Sequence, residues 1–196
     1  MPIHTGRLLL TPAQPFLAVD PIRLETSLRA IGFIAGPLPG PKTGLLAQQA
    51  EVLIHPFLAG DQFLSLLAFT GCAVHVHLAP PSKPGPFTHV SLVGPASLPR
   101  FLWGRNTRPP RCPQCRSPHH GWSRGIQPPD IPNLTCTDCG LSQPCWTWDW
   151  KAKAGYGRSF IAVEEIFPSE AEPSPALLAA LADLTLSPWR RFYIQD

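Results

Sequence analysis

Apolar residues recur at helical spacing in three parts of the chain, and each part predicts a short helix. After Asp20-Pro21, an acidic N-cap followed by proline at the first helical position, the apolar positions share one face until about Gly32. Ser174-Pro175 repeats that opening, and Pro188 ends the leucine stripe that follows it. We also expect a helix from Gly60-Asp61 to Phe69. The apolar positions that define the first and last helices are Leu24, Leu28, Ile31, Leu177, Leu178, Leu181 and Leu184.

Strict alternation of apolar and polar residues predicts strands elsewhere. Residues 73–78 and 87–93 alternate on either side of a proline-rich loop, and we expect them to form an antiparallel pair. Residues 145–151 alternate as well, which places Trp146, Trp148 and Trp150 on one face, and residues 159–167 are predicted as the return strand. A last strand is expected at residues 191–194, whereas residues 45–54 fit a helix or a strand equally well. The predicted fold class is α+β, with a small sheet and about three short helices.

Composition limits the size of these elements and the class of protein. The 196 residues are 44% hydrophobic and 15% charged, so the chain folds and is not disordered. Its 26 prolines against 15 glycines favour short elements joined by rigid loops. No apolar run is long enough to cross a bilayer, and the run Leu8 to Leu10 is too short for a secretory signal, so we expect a cytoplasmic protein without a membrane partner.

Four of the six cysteines form two Cys-x-x-Cys pairs, with 20 residues between the pairs. The members are Cys112, Cys115, Cys136 and Cys139. Two such turns supply the four sulfur ligands of a tetrahedral Zn²⁺ site, and a site filled by four cysteines has no open position for catalysis. Two disulfides, a redox dithiol and an iron centre are the alternatives. The spacing favours structural zinc.

This pattern resembles the zinc-ribbon family over about residues 105–168. The resemblance implies two knuckles that clamp the metal and a β-hairpin after the second knuckle. Gly140 matches the family's small residue after the second pair, whereas Arg116 departs from it after the first pair. We therefore expect a zinc ribbon inserted in the α+β fold, with an N-terminal part at 1–99, the ribbon at 100–168, and a helix and strand at 169–196 that pack back on the N-terminal part.

A second metal site with an open position is conceivable on the predicted strand pair at 73–78 and 87–93. Its candidate ligands are Cys72, His75, His77 and His89. The alternative is that these are ordinary surface or core side chains, because residues 62–129 contain no carboxylate to act as a general base. No nucleotide-binding or hydrolase motif is present, so we assign no catalytic residue and expect that the protein is not an enzyme.

Charge is segregated along the chain, although the net charge is only +3. Residues 62–129 contain seven basic and no acidic side chains, and aromatic residues are interleaved with the arginines. Arginines contact phosphates and indoles stack on bases, so this segment is a candidate surface for RNA or single-stranded DNA. The candidate residues are Arg105, Arg108, Arg111, Arg116, Arg124, Trp103 and Trp122. Alternatively, the arginines neutralise the metal cage and contact the acidic last third of the chain.

Three functions remain open from the sequence. The first is a non-catalytic zinc protein that acts as a protein-interaction or assembly module, with a protein partner. The second is a nucleic-acid-binding zinc-ribbon protein. The third is a metalloenzyme or metal carrier that uses the Cys/His group, and it requires a second metal. The sequence favours them in that order and does not predict the oligomeric state.

Overall fold

A six-stranded antiparallel sheet organises the protein in this computed structural model, which describes residues 6–39, 52, 54–70, 76–82, 85–125 and 133–195. The strands in spatial order are β12, β1, β10, β5, β3 and β2. Their bounds are Trp189–Ile194 for β12, Arg7–Pro12 for β1, Phe160–Glu164 for β10, Val90–Val93 for β5, Ile54–Ala59 for β3 and Ile34–Pro37 for β2. With its helices, the chain is mixed α+β, as predicted, and most of its elements are strands.

Strand β1 lies inside the sheet because its apolar run is buried on both faces. Leu8 and Leu10 pack in the cluster that the helices cover, whereas Leu9 packs in the cluster on the opposite face. All three leucines are fully buried. A strand covered on both faces requires a continuous apolar run, and such a run does not show the alternation from which strands were predicted.

Two helices cover one face of the sheet. Helix α1, Pro21–Ala30, begins at Asp20, whose carboxylate accepts hydrogen bonds from the backbone N–H groups of residues 22 and 23 at 2.9 Å. The last helix, Pro175–Thr185, has Ser174 as N-cap. Both predictions are confirmed. The helix predicted from Gly60 to Phe69 is wrong in extent: only Phe63–Leu66 is helical (α2), and Leu67–Phe69 is a strand, β4, that pairs with β11 at Ala171–Pro173.

A two-stranded ribbon covers the other face of the sheet. It pairs β6, Arg100–Trp103, with β9, Ala154–Gly157, in antiparallel register. Leu102 points toward the sheet, where it is buried with Leu9, whereas its neighbour Phe101 is buried in a third cluster on the far side. Glycine at 155 permits this approach, because a Cβ there would lie 2.5 Å from the Phe192 ring. The ribbon therefore lies between the sheet and the cysteine-bearing segment.

Several predicted strands are wrong in place or partner. Residues 145–147 form a 3₁₀ helix and 148–153 a turn-rich segment, so the alternation at 145–151 does not produce a strand. The return strand is real over 160–164 but pairs with β1 and β5 in the main sheet. Residues 90–93 of the predicted 87–93 strand form β5, which pairs with β3 and β10. Residues 73–75 of its expected partner lie outside the described residues, and 76–78 are not a strand.

The final strand is confirmed and begins two residues earlier than predicted, at Trp189. Its pairing with β1 joins the last segment to the first, while the division into three parts at residues 99 and 168 stays a prediction. No helix among the described residues is long and apolar enough to span a membrane.

Candidate metal centre

Each Cys-x-x-Cys pair lies in a turn between two short antiparallel segments. The second pair lies between β7, Asn133–Thr135, and β8, Ser142–Pro144. The first lies between Arg111 and Pro118, which form an isolated bridge with each other and whose turn spans the same number of residues. A short helix, α3, at Trp122–Gly125 follows the first turn. Two small hairpins therefore present the four sulfurs.

The two turns share one backbone hydrogen-bond pattern. In the first, the Cys112 N–H donates to Ser117 O at 2.9 Å and the Arg116 N–H donates to Cys112 O at 3.1 Å. In the second, the Cys136 N–H donates to Leu141 O at 2.8 Å and the Gly140 N–H donates to Cys136 O at 3.0 Å. The two cysteine turns thus repeat the same local geometry, despite the arginine in place of glycine after the first pair.

The sulfurs converge to distances that fit one metal ion. Cys112 Sγ lies 3.7 Å from Cys139 Sγ, Cys115 Sγ lies 3.5 Å from Cys136 Sγ, and all four atoms lie within 4.8 Å of one another. A tetrahedral ion with bonds of about 2.3 Å requires sulfurs about 3.8 Å apart. A disulfide requires about 2.05 Å, and none of the four cysteines is in one. The donor set therefore fits a tetrahedral ion such as Zn²⁺, and the predicted convergence of the four cysteines is confirmed.

Two of the four thiols differ in how readily they ionise. Hydrogen bonds from the Ser117 side chain and backbone lower the pKa of the exposed Cys115 thiol to about 6. The Leu141 N–H lowers the pKa of Cys139, but burial and the three neighbouring sulfurs raise it more, to about 12. A divalent ion removes this repulsion because it binds all four sulfurs as thiolates.

The cluster is packed into an aromatic core on the far side of the β6–β9 ribbon. Cys112 and Cys136 are buried there with Phe101, Trp148 and Trp150. The Phe101 ring lies 4.7 Å from that of Trp150, so the ribbon contacts this core directly. The metal centre therefore belongs to the fold's interior on one side and reaches solvent only at Cys115 and part of Cys139.

Cys145 is a fifth cysteine in this core but not a ligand. It is fully buried, and burial raises the pKa of its thiol. Its carbonyl accepts a hydrogen bond from the Trp150 indole N–H at 2.9 Å. Cys145 is therefore a small buried residue of the aromatic core.

The three indoles of residues 146–150 pack and do not form an exposed stacking face. Trp148 and Trp150 are buried, and Trp146 is half-buried with its ring 5.2 Å from that of Phe16. These indoles therefore pack the cysteine-bearing segment against its neighbours.

Asp149, which the sequence analysis did not single out, connects the first cysteine turn with the segment around Trp148 and Trp150. Asp149 accepts a 2.6 Å contact from Arg116 and a 2.9 Å contact from Lys151. Partial burial raises the pKa of Asp149, but Lys151 and Arg116 lower it more, to about 2. Residue 149 also exchanges two backbone hydrogen bonds with Arg111, at 2.9 and 3.1 Å. Arg116 thus contacts the acidic last third of the chain, as the alternative view of the arginines expected.

The remaining candidates for nucleic acid divide into exposed and packed residues. Arg105, Arg108 and Arg111 are exposed, and Trp103 is 41% exposed with its ring 6.0 Å from that of the half-buried Trp122. Trp122 in turn packs on the buried Trp150 at 5.3 Å. The side chain of Arg124 lies outside the described part of the chain.

The described residues do not form the predicted second metal site. Cys72 and His75 lie outside the described residues. His77 is exposed, and His89 is buried with Nδ1 2.8 Å from Phe87 O. Within the described ranges, the four-cysteine group is the one cluster of His, Cys, Asp or Glu suited to a metal.

Comparison of the chain with protein-family models, with curated proteins and with solved structures finds no match to any of them. The similarity to zinc ribbons therefore rests on the two cysteine turns and on the convergence of their sulfurs.

Proposed function

We propose that this protein is a non-catalytic zinc protein whose metal-stapled module offers a rigid surface to a macromolecular partner. The observation that carries the proposal is the convergence of four cysteine sulfurs on one tetrahedral site, with 3.5 and 3.7 Å between sulfurs of opposite turns.

The chemistry of the centre supports a structural role. Four thiolates complete the coordination of zinc, so no position is left for a water or a substrate. Asp149 is held by Arg116 and Lys151, and hydrogen bonds from Ser117 and Thr137 lower the pKa of Asp138 between the second pair of cysteines, so both carboxylates are weak general bases. Zinc bound here contributes to folding free energy and not to a reaction.

The position of the centre explains what the zinc stabilises. The two cysteine turns and the segment around Trp148 and Trp150 contain few regular hydrogen-bonded elements, and their packing against Phe101 depends on the turns staying closed. A metal ion bound by both cysteine turns holds them, together with the segment around Trp148 and Trp150, as one layer on the β6–β9 ribbon. A surface built on such a layer is preorganised, which lowers the entropy cost of binding. A protein partner was the first expectation from the sequence.

Elemental analysis and Co²⁺ substitution test the proposal on the full chain. Protein purified without added metal should contain one zinc per chain. Replacement by Co²⁺ should give the strong visible absorption of tetrahedral thiolate cobalt, and imidazole or azide should leave that spectrum unchanged because no coordination position is open. Iron in place of zinc, a second metal equivalent, or a spectrum that shifts with added ligand would contradict a purely structural zinc centre.

A further inference from the structure

Four exposed residues lie between the end of β6 and the first cysteine turn, and they define what is called here the Trp103 surface: Trp103, Arg105, Arg108 and Arg111. Two backbone hydrogen bonds and one ring contact hold the loop that carries this surface. The His119 N–H donates to Pro110 O at 2.9 Å, the Trp122 N–H donates to His119 O at 3.3 Å, and the Trp122 ring returns to the Trp103 ring. Residues 103–111 are thereby held in one place.

The turn that follows Trp103 is rigid although it is at the surface. The Gly104 N–H donates to Thr107 Oγ1 at 3.0 Å, and Thr107 Oγ1 donates to Lys153 O at 2.7 Å. The Asn106 side chain donates to Tyr193 O and accepts from the Gln195 N–H, each at 2.9 Å. The Arg105 N–H donates to Gln195 O at 2.8 Å. The turn is thus pinned to β12 while the arginine side chains on it stay exposed.

The charge on this surface is not neutralised by a carboxylate in the part of the chain that the structure describes. Arg7, Arg29, Arg116 and Arg191 each pair with a carboxylate. Among the described residues, no carboxylate pairs with Arg105, Arg108 or Arg111, which are exposed. Three exposed arginines without a carboxylate partner among the described residues, on the loop that begins at an exposed indole, are complementary to a polyanion with flat rings.

We infer that the Trp103 surface binds single-stranded nucleic acid, with the three arginines on phosphates and the Trp103 indole stacked on an unpaired base. The inference rests on the proposed function, because the zinc-stapled layer holds Trp122 against Trp103. An acidic protein segment satisfies the arginines but makes no use of the indole face. A duplex keeps its bases stacked inside the double helix, so it offers the Trp103 indole no unpaired base to stack on.

The test uses fluorescence anisotropy of the zinc-loaded full chain with a fluorescein-labelled mixed-sequence RNA 15-mer. Parallel arms use the same sequence as single-stranded DNA, the blunt DNA duplex, and a labelled 15-residue Glu/Asp-rich peptide. We expect both single strands to bind more tightly than the duplex or the peptide. Zinc content is measured on the same samples, so a chain with one zinc that binds no single strand overturns this inference and leaves the structural centre intact.

Variants separate phosphate contacts from stacking. Arg105→Ala and Arg108→Ala should each weaken binding and reduce the slope of log affinity against log salt by about 0.7. Arg23→Ala removes an exposed arginine on α1 with the same change in net charge, and it should leave both quantities unchanged. Equal losses in Arg23→Ala and Arg108→Ala would show that only overall charge matters and would overturn the assignment.

The indole is tested by substitutions that differ in their π face. Trp103→Leu keeps an apolar side chain against Trp122 but should weaken single-strand binding about 5- to 150-fold without changing the salt slope. Trp103→Phe should retain most of the affinity. Phe167→Ala, which removes an aromatic side chain that is 50% exposed elsewhere, is the matched control and should have no effect. Binding of the acidic peptide that depends on Arg105 and Arg108 while single strands do not bind would identify a protein partner instead.

Discussion

Arg116 and Gly140 occupy equivalent positions in the two cysteine turns, with backbone φ of +66° and +72°. Each residue directly follows its Cys-x-x-Cys pair and donates its N–H to the first cysteine's carbonyl. Glycine adopts this left-handed conformation without strain, whereas a side chain at the same φ costs about 1 kcal/mol. The arginine is retained at a conformational cost, and its ion pair with Asp149 offsets part of that cost.

We expect Arg116→Gly to be more stable than Arg116→Ala by about 1 kcal/mol. Both variants lose the ion pair with Asp149, but only the glycine relieves the backbone strain. The difference between their free energies of unfolding therefore measures that strain alone. Gly140→Ala should cost a similar amount, because no atom lies within 4 Å of the added Cβ and the cost is conformational alone. Denaturant unfolding of the zinc-loaded proteins measures each value. Equal stability of the two Arg116 variants would show that the left-handed backbone carries no strain.

Cys112→Ser and Cys139→Ser should lose zinc and the order of the module. On the order of 10 kcal/mol of metal-binding free energy holds such sites folded. Hydrogen exchange should accelerate at residues 108–122 and 133–150, while β1 and β10 keep their protection, because their pairing involves no metal ligand. Cys145→Ala is the matched control, since it removes a buried thiol from the same core and should retain one zinc per chain.

Both tyrosines of the chain should make stability fall at alkaline pH. Burial raises the pKa of Tyr156 and of Tyr193 in the folded protein. Above the unfolded value of about 10, the unfolded chain loses these protons and the folded chain keeps them. The free energy of unfolding should therefore fall as the pH rises through 10, and the slope for each tyrosine approaches about 1.4 kcal/mol per pH unit once the unfolded chain has lost that proton. Stability measured from pH 9 to 12 tests this, and Tyr156→Phe should reduce the tyrosine part of the slope.

At neutral pH the two tyrosine hydroxyls should behave differently. The Tyr193 hydroxyl donates to Ala171 O at 2.6 Å in a buried site, so Tyr193→Phe should cost about 1 to 3 kcal/mol, because the carbonyl loses its donor. The buried Tyr156 hydroxyl faces the Cys145 thiol and makes no stronger hydrogen bond among the described residues. Tyr156→Phe should therefore be neutral or stabilising. A larger loss at position 156 than at 193 in thermal unfolding would contradict this assignment.

Leu186→Gly should stabilise the last helix by about 1 kcal/mol. Leu186 follows that helix with φ of +51° and is 94% exposed, so its side chain adds strain and little packing. Leu186→Ala is the comparison, because it removes the exposed leucine side chain but keeps the strained backbone. Only the glycine variant should raise the melting temperature appreciably.

Local chemistry made some features predictable from the sequence. Asp20-Pro21 and Ser174-Pro175 specify helix starts through their own side chains, and the cysteine spacing specifies four converging sulfurs. Strands were harder to predict, because alternation does not determine whether a neighbour exists. The indoles at 146–150 alternate in sequence, but the chain there begins as a 3₁₀ helix at Cys145–Thr147 and is not a strand. Strand β1 is buried on both faces, so its sequence does not alternate. The ion pair at Asp149 depends on a tertiary contact that spacing does not show.

The placement of β1 between β10 and β12 has a consequence for synthesis of the chain on the ribosome. Arg7 pairs with Glu164 on one side, 157 residues later in the sequence, and with Ile194 on the other, so both neighbours of β1 are synthesised long after it. The cysteine turns are complete much earlier and make contacts of short sequence separation. Such contacts form before long-range strand pairing. Until β10 and β12 arrive, the apolar strand Arg7–Pro12 has two open edges, and the nascent protein is most prone to aggregate during that interval.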